Sequence, residues 1–135
     1  MNASGQKLPK IWLPSMKIES SYGGGMLYYN YKIIITDSVS SMKIESNEGI
    51  ENYSRKFTKA ELNALLAFFG KHRFDKITSK LVGPAHDKAS ESVSVSWEND
   101  FIGASESASQ NITEEYSEDF RAIQEHLQGL FKKDN

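Results

Sequence analysis

Lys56-Phe57-Thr58-Lys59-Ala60-Glu61-Leu62-Asn63-Ala64-Leu65-Leu66-Ala67-Phe68-Phe69-Gly70 decides how the rest of the chain is read, because its start, its buried face and its stop are all written in its residues. Thr58 followed at the third position by Glu61 is a capping box, in which each side chain reaches a backbone N–H that the first helical turn leaves unpaired. Leu62, Leu65, Leu66 and Phe69 recur at the spacing of one helical face, so the segment 59–69 is expected to be an amphipathic helix. Gly70 adopts the left-handed conformation cheaply and is expected to stop it.

Upstream of this helix the pattern is that of strands. Residues 1–9 are polar and read as a flexible arm, followed by a single domain over 10–135. Pro9 and Pro14 bracket Lys10-Ile11-Trp12-Leu13, a stretch expected to lie extended at a sheet edge. Met16 and Ile18 alternate with Lys17 and Glu19 in a first strand, and Ser20 to Gly25 reads as a turn. The next strand places Leu27, Tyr29, Tyr31, Ile33 and Ile35 on one face and Met26, Tyr28, Asn30, Lys32 and Ile34 on the other. It is expected to be the longest and most central. A third strand runs from Val39 to Ser46, and Asn47-Glu48-Gly49 turns the chain into a fourth, Ile50 to Phe57. Ser15-Met16-Lys17-Ile18-Glu19-Ser20 recurs as Ser41-Met42-Lys43-Ile44-Glu45-Ser46, either by duplication or because two similar strands converged on the same residues.

Downstream, His72 to Ile77 is expected as a short extended return to the core and Thr78 to Ser90 as a loop. Val93, Val95 and Trp97 alternate with serines, and Glu98-Asn99-Asp100 turns this strand into another over Phe101 to Ser105. A second helix is expected over about 114–132. Ile112, Tyr116, Phe120, Ile123, Leu127, Leu130 and Phe131 trace its stripe, Thr113 is its expected cap, and acidic and basic residues sit at the ends that match its dipole. The fold class is α+β: a single two-layer domain, with a mainly antiparallel sheet of five or six strands and both helices packed on one face.

Composition narrows function by exclusion. A hydrophobic fraction of 39% with 25% charged residues is that of a folded domain rather than a disordered chain. With 16 Lys+Arg against 18 Asp+Glu, and a net charge of -2, there is no basic footprint for a nucleic acid. The absence of cysteine excludes disulfides, thiolate nucleophiles, iron–sulfur clusters and zinc sites built on sulfur. No hydrophobic run reaches the length of a membrane span. The start lacks the apolar core of a signal peptide, which leaves a cytoplasmic protein, or an exported one in its mature form.

Catalytic and metal signatures are equally sparse. His72, His86 and His126 lack the i, i+4 partners of a helical metal site, and no metal or cofactor is expected. Gly23-Gly24-Gly25 leads into a strand, so it is a hairpin tip rather than a phosphate loop. Gly103-Ala104-Ser105-Glu106-Ser107 lacks the second glycine of a nucleophile elbow. What remains is surface. Trp12, Tyr22, Met26, Tyr28 and Ile34 are the candidates for a partner-binding patch, because exposed Tyr and Met mark interfaces, although the arm with Trp12 and Leu13 could equally cover them. His72, His86 and Asp87 form the candidate polar cluster for a small-ligand cavity between sheet and helices.

The order of elements resembles small bacterial domains of unknown function, many of them exported or lipid-anchored. The resemblance rests on the strand meander, the Thr58-Lys59-Ala60-Glu61-Leu62 opening, the Leu65-Leu66 face, the Phe74-Asp75-Lys76-Ile77 return, and the closing strand pair and helix. In layout the chain is also similar to emfourins, inhibitors of thermolysin-like metalloproteases. Ser20, Ser21 and Gly23 to Gly25 match their Ser- and Gly-rich segment, and Leu65, Leu66 and Phe74 match their Phe- and Leu-rich return. The longer meander and the arm before Met16 depart from that layout. The expected function is a non-catalytic protein-interaction or binding domain whose partner is another protein. A protease inhibitor, and a small-ligand-binding protein or enzyme using a sheet–helix cavity, are the alternatives.

Overall fold

The structure, a computed structural model, describes residues 7–25, 28–83 and 88–131. Six strands form one antiparallel sheet: β1 (Lys17–Gly24), β2 (Tyr29–Ile35), β3 (Val39–Ser46), β4 (Gly49–Lys56), β6 (Ala89–Trp97) and β7 (Asp100–Glu106). Their order across the sheet is β4-β3-β2-β1-β6-β7. Between β4 and β6 come helix α1 (Lys59–Lys71), a 3-10 turn over Phe74–Lys76 and the short β5 (Ser79–Leu81). After β7, the short β8 (Gln110–Ile112) pairs with β5 in a separate ribbon, and helix α2 (Ser117–Gly129) closes the domain. The chain is α+β, with a buried face made by the sheet and both helices.

Alternation decides which face the helices cover. Ile18 on β1, Ile33 and Ile35 on β2, Met42 on β3, Val93 and Val95 on β6 and Ile102 on β7 are buried against Leu62, Leu65, Leu66 and Phe69 of α1 and Phe120, Ile123 and Leu127 of α2. The opposite face carries Lys17, Glu19, Lys43, Glu45 and the β6 serines. Lys17 pairs with Glu19 at 3.7 Å, and Lys43 with Glu45 at 3.9 Å. The two copies of Ser-Met-Lys-Ile-Glu-Ser are thus β1 and β3, the strands flanking β2. β1 sets Ile18 opposite Ile35, β3 sets Met42 opposite Ile33 and Ile44 opposite Tyr31, and each strand carries the same Lys–Glu ion pair on its other face.

The capping box is present: Glu61 N donates to Thr58 Oγ1 at 3.1 Å, and Thr58 N donates to Glu61 Oε1 at 2.8 Å. That backbone hydrogen bond, ahead of the Arg55 charge, holds the Glu61 carboxyl below its ordinary range.

Several boundaries differ from those expected. Gly70 lies inside α1, and the left-handed residue after the helix is Arg73, at φ 54 and ψ 36. A non-glycine there costs roughly 1–2 kcal/mol, and its guanidinium is held by Asp119 at 2.7 Å. Phe74–Lys76 is a 3-10 turn rather than an extended return. The expected loop over 78–90 contains β5 and the start of β6. Thr113 does not cap α2; its Oγ1 accepts from Thr78 at 2.8 Å, and a 3-10 turn over Glu114–Tyr116 precedes the helix. β6, with nine residues, is longer than β2, and β1 shares the centre of the sheet. Strand β1 also runs through the expected turn as far as Gly24, because pairing with β6 continues to Gly24 opposite Ala89.

Trp12 is not at a sheet edge. Its backbone N–H donates to Asn63 Oδ1 on α1 at 2.7 Å, and its side chain is only 2% exposed within the main core. Leu8, in the expected arm, donates its N–H to Asp75. The segment over 7–13 therefore packs on the helix side. Replacing Trp12 with Ala should cost about 3–5 kcal/mol in urea unfolding. Thr58→Ala should cost about 1 kcal/mol.

Candidate functional site

At the end of the sheet beyond the apolar core, the register places Tyr31 opposite both Tyr22 and Ile44, and Tyr22 opposite Glu91. All lie on the helix side. The Tyr22 and Tyr31 rings stack at 5.7 Å and 12°, and Tyr29 meets them edge-on at 5.8 and 6.4 Å. Helix α2 roofs them with amides: Gln128 Nε2 donates to the Tyr31 hydroxyl at 3.4 Å, and Gln124 Nε2 donates to Glu91 Oε1 at 2.7 Å. Arg121 and Glu125 stand exposed at the mouth of the resulting cleft, whose volume is about 290 Å³. Burial is the main influence on the Tyr31 hydroxyl and pushes its pKa up, against the opposing effect of Ser20. It is a neutral hydrogen-bonding group, not an anion.

This cleft takes one expected residue, Tyr22, and moves it to the face opposite Ile34. The expected patch of Trp12, Tyr22, Met26, Tyr28 and Ile34 is therefore not a single surface. Trp12 is core, Tyr22 is helix-side, and Ile34 lies half-buried among the charged residues of the outer face. Tyr28, 53% exposed, lines a separate depression with Tyr29, Ile44 and Glu51. Met26 lies outside the described residues. Missed were Tyr29, Tyr31, Glu91, Gln124 and Gln128. The available signals were a glutamine at 124, on the apolar stripe one turn after Phe120, and tyrosines at 29 and 31 continuing the buried side of β2.

The histidines build a different feature. His72 Nδ1 lies 3.2 Å from Asp119 Oδ1, while Arg73 donates to Asp119 Oδ2 from Nε at 3.0 Å and Nη2 at 2.7 Å. Phe68 stacks on His126 at 3.9 Å and touches His72 at 4.5 Å. These contacts rivet the end of α1 to α2. His86 and Asp87 lie outside the described residues; among the described residues, His72 has Asp119 as its partner. Among the described residues, no three His, Asp or Glu side chains gather as metal ligands would. The sheet–helix groove beside this rivet is mainly apolar, lined by Arg55, Phe57, Leu65, Phe68, His126 and Leu130. His72 is not part of its wall.

No known protein family matches the chain, and no curated protein is detectably similar to it.

Burial, and next the charge of His72, lower the His126 pKa from its ordinary value. The unfolded chain therefore takes up this proton more readily than the folded one. The stability involved is fully present above about pH 6.5 and is lost as pH falls through that value toward the lower folded pKa. NMR titration should find His126 titrating below an ordinary histidine. Replacing it with Gln should flatten the fall in Tm between about pH 7 and 5.

Proposed function

We propose that this chain is a non-catalytic binding domain that recognises another protein through the tyrosine cleft. The observation that carries this reading is the convergence of a stacked Tyr22–Tyr31 pair and an edge-on Tyr29 with Glu91, Gln124 and Gln128 in one open concavity. Tyrosine supplies large, stiff contact area with few rotatable bonds, and a hydroxyl that stays useful at a wet boundary. Mutual stacking fixes the rings before a partner arrives, which lowers the ordering cost of binding.

The polar groups set what fits. Glu91 keeps acceptor capacity beyond its bond to Gln124, and the side-chain oxygens of both glutamines are acceptors as well. An inserted partner side chain with an apolar body and a donor tip would lie against Tyr22 and Tyr29 and donate to this row. Arg121 at the mouth is of the type that joins tyrosine in interface hot spots.

The test is capture of partner proteins on the immobilised domain, followed by titration calorimetry with the purified partner. Tyr22→Ala and Tyr29→Ala should each weaken binding by about tenfold or more, while Lys32→Ala, on the opposite sheet face, should leave it unchanged. Undiminished affinity in a folded Tyr22→Ala/Tyr29→Ala double variant would move the site elsewhere.

A further inference from the structure

Strand β4 is an edge strand, and almost all of it is open to solvent. Its pairing with β3 closes through Asn47 and Glu48, with Ser46 opposite Gly49. A two-residue hairpin makes that flanking pair a hydrogen-bonded one, and such pairs alternate along an antiparallel ladder. Gly49, Glu51, Tyr53 and Arg55 therefore spend their backbone groups on β3. Ile50, Asn52, Ser54 and Lys56 direct theirs to the free edge. Among the described residues, no backbone bond from another element reaches that edge.

The charge along this strand is ordered. Glu48 and Glu51 lie at its start, and Arg55 and Lys56 at its end, with Tyr53 between Glu51 and Arg55. From this we infer that β4 pairs antiparallel with β4 of a second copy of the chain, about a two-fold axis at Tyr53, joining the two sheets into one. In this register Glu51 faces Arg55 of the second copy twice over, Tyr53 faces Tyr53, and Asn52 exchanges backbone hydrogen bonds with Ser54. The odd-numbered residues occupy non-hydrogen-bonded positions, where facing side chains approach most closely.

Arg55 has the donors to do this. Its Nη1 donates to Leu130 O at 2.7 Å and its Nη2 to Glu61 at 2.6 Å, leaving further N–H groups for a second carboxylate. Among the described residues, Glu51 accepts from the Tyr53 hydroxyl at 2.6 Å. Isolated charges on an edge strand guard it against stray pairing. Opposite charges placed symmetrically about a central residue instead permit one register and penalise its neighbours. A single pair of edge strands is a small contact, so the association is a reversible monomer–dimer equilibrium.

The experiment is analytical ultracentrifugation of the full chain, from about 1 µM to about 500 µM. The wild type should show a concentration-dependent monomer–dimer equilibrium. Glu51→Arg and Arg55→Glu should each weaken dimerisation by about tenfold or more, because each sets like charges face to face. Mixed together, these two variants should form a heterodimer, since every facing pair is then again opposite in sign. The mixture also guards against misfolding, because an unfolded variant could not restore association. Asn52→Pro removes an outward N–H that the monomer does not use, and should abolish the dimer while circular dichroism stays unchanged. The inference fails if the wild type remains monomeric throughout, if the mixed variants do not associate, or if a dimer persists through Asn52→Pro.

Discussion

One lateral row of side chains sets the rest of the structure. Ile35, Ile18, Val95 and Ile102 stand opposite one another across β2, β1, β6 and β7, all with 0% exposure. Because side chains alternate along a strand, a slip of one residue in any of these pairings would turn that strand's apolar set to solvent. The row thus holds the register of the central strands, although two of its members come from a segment that joins the sheet only after α1 has crossed it. The next row, Met42, Ile33, Ser20, Val93 and Ala104, is still buried but admits a hydroxyl. The row after that is Ile44, Tyr31, Tyr22, Glu91 and Glu106. Moving along the strands by pairs of residues, the same face changes from apolar core to aromatic and carboxylate cleft.

That gradient explains why the concave site lies where it does. Helix α2 shows a matching change, from Phe120, Ile123 and Leu127 on its buried stripe to Gln124 and Gln128 above the tyrosines. A glutamine buried without a partner would be costly, so Gln124 is tolerable only because Glu91 stands across from it. Sheet and helix are complementary in polarity row by row. The strained turn at Arg73 serves the same alignment, since its bonds to Asp119 and to the Glu115 carbonyl, with His72 beside it, hold α2 in axial position over the sheet.

What was legible in the sequence follows from how local each signal is. The capping box and the face of α1 are decided within a few residues, and both stand where expected. The hairpins β2–β3, β3–β4 and β6–β7 were legible for the same reason: alternation and turn residues sit side by side. Helix stops were less so. Arg73, rather than Gly70, carries the left-handed conformation because a distant aspartate holds it, and no local pattern encodes that. Strand β1 ran on past its expected turn because its partner there, β6, lies more than sixty residues away. Read as a turn, Ser20 to Gly25 assigns Tyr22 to no sheet face, so the cleft it lines is not legible in the sequence. The partner patch scattered for a related reason: period two assigns residues to faces, but cannot say which way an arm such as Leu8 to Leu13 will fold.

The two sheet edges are treated differently, and this bears on what the fold leaves available. Beside β7, the β5–β8 ribbon supplies cover, with Ser107 bridging Gln110 and Glu106 accepting from the Ile112 N–H at 2.9 Å. The β4 edge has no such ribbon among the described elements, and its protection is left to side-chain charge. Charge guards an edge by making most pairings unfavourable, but it guards selectively, because a sequence that is acidic at one end and basic at the other repels a parallel copy and attracts an antiparallel one. Uniform lysines would have excluded both. The charge order of β4 therefore disfavours most pairings and leaves one geometry favoured, and that geometry continues the sheet away from the tyrosine cleft instead of closing over it.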